Sequence, residues 1–338
     1  MAAAFTAEVW EHSPDALVAY APDGTVLHWN PAAESIFGYA NAEAQGRNLY
    51  DLVVPPAEAE QARISQASAL RDGVAVYEAV RRRKDGILVH INVSARAVLR
   101  PDGQLDYFLA SKRDETRLKV QRDANLVQAR FGALLESTPD ATVIVNVLGR
   151  IVLVNSQAEQ LFGYPLAELL GQTVEVLLPD RFRTAHLKNR AGFFAMPHTR
   201  AMGEGLELYG LRRNGEEFPV EVSQSPLRTE GGTMVMSAVR DATSRKKASQ
   251  QFRDLLESAP DAMIIVDPHG QIILANNQAV TLFGWAQDEL LGKPIDMLVP
   301  ERFRGPHPGH RDGFFEQPRT RAMGAGRELY GLLSLIHI

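Results

Sequence analysis

Short apolar blocks recur along the chain, and their spacing predicts strands and helices in a repeating order. In the middle third, 142–147 and 151–154 are β-branched runs split by Leu148-Gly149-Arg150, which predicts a hairpin. Positions 156–162 carry a helical pattern that stops at Gly163, a predicted C-cap, and 181–194 reads as a longer helix. Asn214-Gly215 is a two-residue hairpin turn. After it, Phe218, Val220 and Val222 alternate with Glu217, Pro219 and Glu221, so one strand face is buried and the other wet. A last strand spans 234–239. Two strands, a helical excursion and three strands predict an α+β unit: a five-stranded antiparallel sheet with helices on one face.

The same order occurs three times. A shift of 121 positions aligns 131–211 with 252–332 without a gap, at 45 identities in 81 pairs. A more distant copy lies upstream. There Pro14-Asp15, Asn30, Phe37-Gly38-Tyr39 and Gly46 match Pro139-Asp140, Asn155, Phe162-Gly163-Tyr164 and Gly171, and Asp85-Gly86 later meets Asn214-Gly215. The predicted organisation is a first domain at 1–117, a helical linker at 118–130, a second domain at 131–244, a short helical linker at 245–251 and a third domain at 252–338. In the first linker Val120, Ala124, Val127, Phe131 and Leu134 fall at a/d spacing. Such a seam suits either a dimeric coiled coil or a helix packed on its own domain.

Composition narrows the function. With 45% apolar and 23% charged residues this is a globular chain, and a net charge of −5 argues against nucleic acid as a partner. The lack of an apolar run of membrane-span length or of a signal-peptide pattern predicts a cytoplasmic protein without a membrane anchor. The chain has no cysteine, which excludes disulfides, thiolate nucleophiles, Cys-ligated metals and cysteinyl photoadducts. No nucleotide-binding, metalloprotease, hydrolase or kinase motif is present. The basic run Arg81-Arg82-Arg83-Lys84 beside a hairpin reads as a charged strand edge, with an acidic or phosphate partner as the alternative.

The element order, the Asn and Phe-Gly-Tyr segments, the Arg212-Arg213-Asn214-Gly215 hairpin and the closing Asp114-Glu115-Thr116 and Asp241-Ala242-Thr243 resemble the PAS (S-box) sensor family. The resemblance implies tandem sensory domains joined by helical linkers, homodimerisation through domains and linkers, and transmission to an output domain in cis. That output is most often a histidine kinase; a non-enzymatic interaction scaffold is the alternative.

The sharpest chemical candidates are His186 and its repeat mate His307. Phe182, His186 and Phe193 fall at i, i+4 and i+11, so a buried Phe face would turn the imidazole into the core, where it suits an axial haem ligand. The stretch 179–219 resembles the haem PAS domain of FixL-type oxygen-sensing kinases, in which the proximal His follows the helix-start Pro by seven residues, as His186 follows Pro179 and His307 follows Pro300. At the ligand-contacting Arg position of those sensors this chain has Leu206 and Arg327. Departures are Gln224 and Ala201, where the haem sensors keep larger apolar groups. Haem at His186, a flavin or other small ligand, and no cofactor at all remain open. Pro308 predicts a broken helix and a differently aimed His307. The first copy lacks a matching His, and His90 falls on the outward strand face.

After Leu332 the third copy departs from the second, as Leu333-Ser334-Leu335-Ile336-His337-Ile338. The common transposon-end adapter of sequencing libraries encodes this hexapeptide, so an incomplete read and an open third domain are expected.

Overall fold

A computed structural model describes residues 8–202, 207–316 and 329–334. In the first domain β1 (Ala16–Tyr20), β2 (Val26–Trp29), β3 (Val74–Arg82), β4 (Leu88–Leu99) and β5 (Leu105–Asp114) form an antiparallel sheet in the order β2-β1-β5-β4-β3. Helices α1 (Pro31–Phe37) and α2 (Ala59–Asp72) lie in the connection between β2 and β3. The core gathers the inward rows of the strands, among them Val18, Phe108, Ile91 and Val93, against Phe37 and Leu52.

Helix α3 (Thr116–Glu136) leaves β5 directly and leads into the second domain. There β6 (Ala141–Val145), β7 (Ile151–Val154), α4 (Ser156–Phe162) and α5 (Asp180–Ala195) precede β8 (Arg200–Met202), β9 (Tyr209–Leu211), β10 (Glu217–Thr229) and β11 (Gly232–Asp241). The sheet order is β7-β6-β11-β10, and both β8 and β9 pair with β10. Thus the edge that β3 forms as one strand in the first domain is divided in two here, and the sheet has six pieces where five strands are predicted.

One asparagine per copy holds each domain together. Asn155 Oδ1 accepts from Ala158 N, capping α4, and from Thr142 N at 2.8 Å on the first strand; its Nδ2 donates to Asp140 O and Leu135 O. Asn30 and Asn276 make the same bridge to Ala33 and Leu17, and to Ala279 and Met263. Each is fully buried, so every polar atom must be matched, and the amide supplies an acceptor and two donor hydrogens at this corner. Gly163 ends α4 at φ +75°, as its N–H returns to Glu159 O, a left-handed cap that glycine adopts without strain.

The linker seam has an intramolecular partner. Val120, Ala124 and Val127 of α3 are buried with Leu135 against Ile144, Val152, Leu153 and Met234, on the outer face of the second sheet. Leu134, the last seam position, is 67% exposed. The helix-on-own-domain packing therefore occupies most of the a/d stripe. The linker helix α3 covers the other face of this sheet.

The second compact unit starts at Ser244. It holds most of α6 (Thr243–Ser258), then β12 (Ile264–Val266), β13 (Ile272–Ala275), α7 (Asn277–Phe283) and α8 (His307–Glu316). Among its described residues the sheet has two strands. Ile273, at the repeat position of buried Val152, is 58% exposed, since nothing among those residues covers that face as α3 does.

Candidate functional site

The 3₁₀ turn Val174–Leu177 precedes α5 and lifts Glu175 against it, while His186 and Arg190 stand one turn apart on the facing side of the helix. His186 Nδ1 lies 2.9 Å from Glu175 Oε1, and Arg190 Nε lies 3.5 Å from the same oxygen. Arg190 Nη1 also donates to Leu148 O at 2.9 Å. Glu175 Oε2 is buried without a hydrogen-bond partner. Burial alone would raise the Glu175 pKa, but the His186 hydrogen bond and the Arg190 charge outweigh it and hold the carboxyl below its ordinary value.

Gly149 makes the Arg190 position possible. It sits in the β6–β7 turn at φ +72°, and a Cβ there would fall 0.7 Å from Arg190 Nη1. The third copy repeats the arrangement. His307 Nδ1 lies 2.6 Å from Asp296 Oδ1, Arg311 Nη1 lies 3.3 Å from Asp296 Oδ2, and a Cβ on Gly270 would meet Arg311 Nη1 at 2.2 Å. The helix does break as Pro308 requires: one segment ends at Arg304 and α8 begins at His307, with Pro308 in its first turn, where no intrahelical N–H is needed. The predicted re-aiming of His307 is corrected, because restarting the helix at this residue returns its ring to the carboxylate.

The cluster continues to the linker. Asn146 opens the β6–β7 turn; its Oδ1 accepts from Leu148 N and Arg150 N, and its Nδ2 donates to Asp123 Oδ2 of α3 at 2.8 Å. Lys119 Nζ bonds Asp123 Oδ1 at 2.9 Å and Gly231 O at 3.0 Å. A continuous polar path thus runs from α3 through the hairpin turn to Arg190, Glu175 and His186. The sequence reading singled out His186 alone. Glu175, Arg190 and Gly149 were all legible in the 121-residue repeat as an acid, an Arg four residues after the His, and a shared Gly.

His186 lies on the inward side of α5, but Phe182 does not share the core with it. Phe182 stacks on Tyr209, rings 6.5 Å apart, under the Arg181 guanidinium. Phe193 is buried. Leu206 and Arg327 lie outside the described residues. For haem, the imidazole chemistry fits: a carboxylate on Nδ1 orients a ligating ring, and Nε2 makes no hydrogen bond among the described residues. The space does not fit as arranged. Phe162 and Phe218 meet at 5.7 Å and fill the core with Leu177, Phe193 and Val220, and a Cβ on Gly210 would already press Phe218 at 2.9 Å. Among the described residues no group of three or more His, Asp or Glu side chains could hold a metal.

The model of the PAS fold matches residues 4–114, 129–242 and 250–308, one match for each copy. The chain belongs to the PAS family. Among its relatives, the oxygen sensor protein DosP of Escherichia coli (strain K12) is 27% identical over 193 residues, covering 54% of this chain and 24% of DosP. The sensor protein FixL of Bradyrhizobium diazoefficiens is 28% identical over 128 residues, covering 38% of this chain and 25% of FixL. Blue-light-activated histidine kinase 1 of Erythrobacter litoralis is 32% identical over 144 residues, covering 41% of this chain and 38% of that protein. The chain spans about a quarter of the length of DosP and FixL. All three matched segments are PAS domains, and His186 and His307 occupy the same place in two of them. No helix among the described residues is long and apolar enough to cross a membrane.

Proposed function

We propose that this chain is the cytoplasmic sensory input region of a larger signalling protein whose output is a histidine kinase. The observation that carries the reading is α3. It is continuous with the last strand of the first PAS domain, covers the sheet of the second, and is hydrogen-bonded through Asp123 and Asn146 to the turn that holds Arg190. A shift in either PAS core therefore acts on one rigid helix, the kind of two-state element that biases an output domain. The sensor and kinase names of the relatives support the output class. Reading the source DNA past the codon for Leu332 tests it. An open frame into a kinase core carries the proposal, and a frame into a region without catalytic motifs replaces it with an interaction scaffold.

A haem reading of the second domain is favoured by one observation, the Glu175 carboxylate on His186 Nδ1. His186 would hold the iron only if Phe162, Phe193 and Phe218 repacked, because they fill the core as described. The full chain produced with haem supplied is expected to show a Soret band lost in His186→Ala if this holds; a colourless folded protein removes it and leaves the packed core as the resting state.

A further inference from the structure

We propose that the core of the first PAS domain binds a small organic carboxylate through Arg81 and Lys112. Both residues stand where the strand pattern calls for apolar side chains. On β5, Phe108, Ala110 and Lys112 form the inward row, and on β3 Ala75, Ala79 and Arg81 do so. Arg81 is 2% exposed and Lys112 is 3% exposed. The basic run read as a solvated strand edge is corrected at this residue. Arg83 and Lys84 do bond at the surface, to Ile36 O and to Glu43, but Arg81 points inward.

Arg81 has one acidic partner at the limit of ion-pair distance, and Lys112 has none among the described residues. Arg81 Nε is buried without a partner, Nη1 donates to Val80 O, and the nearest carboxylate, Glu58, stands 4.0 Å away. Lys112 makes no hydrogen bond or ion pair among the described residues. Two buried cations with one remote acid are costly, because burial strips the hydration that an anion would replace. The fold itself does not ask for them. Strand pairing places Lys112 opposite Val93 and Ala16, and it places Val239 opposite Val222 and Ala141; Arg81 pairs with Val89 as Gly210 pairs with Phe218. The second domain thus builds the same sheet with Val and Gly at these two places.

The surroundings point to an organic anion. Tyr20 and Phe108 stack at 5.3 Å beside the cations, and Tyr50 and Tyr77 adjoin Arg81. Two cationic heads among aromatic rings suit a carboxylate on an apolar frame; a phosphate needs more donors than Arg81 and Lys112 offer. A surface cleft lined by Pro22, Asp23, Asn48, Tyr50, Asp51, Ala59, Arg63 and Gln66 shares Tyr50 with the surroundings of Arg81. Burial, reinforced by the Arg81 charge, pushes the Lys112 ammonium down to about 7. A bound anion would restore its proton, so binding near neutral pH takes up protons.

The site rests on its own geometry, and only its role as an input rests on the sensory reading. The test uses the full chain, with acetate, succinate and benzoate as probes and inorganic phosphate as the separating arm, all at matched ionic strength. Calorimetric titration is expected to show saturable binding of at least one carboxylate, with proton uptake and a melting temperature raised by several degrees. Lys112→Val, which copies the second domain, and Lys112→Met are expected to fold and to lose both effects. Failure of all three carboxylates to bind, equal binding by Lys112→Val, or binding of phosphate alone overturns the proposal. Because no output is measured, such a failure leaves the sensory reading standing, and a bound carboxylate stands whatever the output proves to be.

Discussion

Asp123 Oδ2 accepts a hydrogen bond from Asn146 Nδ2 at 2.8 Å, and this contact fastens the connecting helix to the turn whose Leu148 O accepts from Arg190. Both side chains are buried, so neither has water as a substitute partner. Asp123→Ala is expected to cost about 1–3 kcal/mol, the penalty for an unsatisfied buried amide. Urea denaturation followed by fluorescence of single-Trp reporters in each domain would check it. Loss confined to the first domain would contradict the assignment.

Gly149→Ala combines two penalties. The residue is left-handed, and the new methyl occupies the place of the Arg190 guanidinium. The backbone strain alone costs about 1–2 kcal/mol, and displacement of a buried cation adds to it. The measured loss should exceed that of Gly192→Ala, whose Cβ meets nothing within 4 Å. A Gly149→Ala loss no larger than the backbone strain alone would show that Arg190 moves freely.

The Glu175 carboxyl is held below its ordinary value, 4.5, in the folded protein. A depressed acid contributes stability that is present above the unfolded pKa and lost as pH falls through the folded one. Acid titration of wild type should therefore show a loss of stability below about 4.5 that Glu175→Gln lacks. Parallel profiles for the two proteins would remove Glu175 as a contributor.

Lys112 gives a slope of the same sign, but as a cost in the protonated form and not as a gain in the ionised one. Its folded pKa is depressed to about 7 from 10.5, so the unfolded chain binds more protons in this window and stability rises with pH across it. Without a bound anion, Lys112→Val is expected to melt higher than wild type at pH 7, and the gap should narrow toward pH 10. Differential scanning calorimetry at these two values decides it, and a variant that melts lower would mean that the ammonium has a stabilising partner.

The fold was largely legible because its determinants are local or repeated. Ser156–Phe162 is helical with Gly163 as its cap, Ile151–Val154 is a strand and Asn214-Gly215 is a turn, all as the pattern indicated. The same reading found His186 but passed over Glu175, eleven residues away, because nothing in periodicity pairs a 3₁₀ turn with the following helix. The edge strand was read as one piece, whereas β10 pairs with both β8 and β9.

By itself the sequence determined the three-copy PAS organisation, the order of elements and the lack of thiol chemistry, since a duplication, period-two and period-3.6 patterning and residue counts require no coordinates. Tertiary structure alone decided where the seam of α3 goes and which charges are buried. An a/d stripe is equally apolar toward a second helix and toward a sheet, and only the uncovered face of β6, β7 and β11 selects the sheet. Arg81 and Arg83 look alike in a basic run, yet the strand pleat turns one inward and brings it beside Lys112, whose codon lies thirty-one positions further on. Charge pairing and burial depend on residues brought together by folding, and that proximity is written in no single segment of the chain.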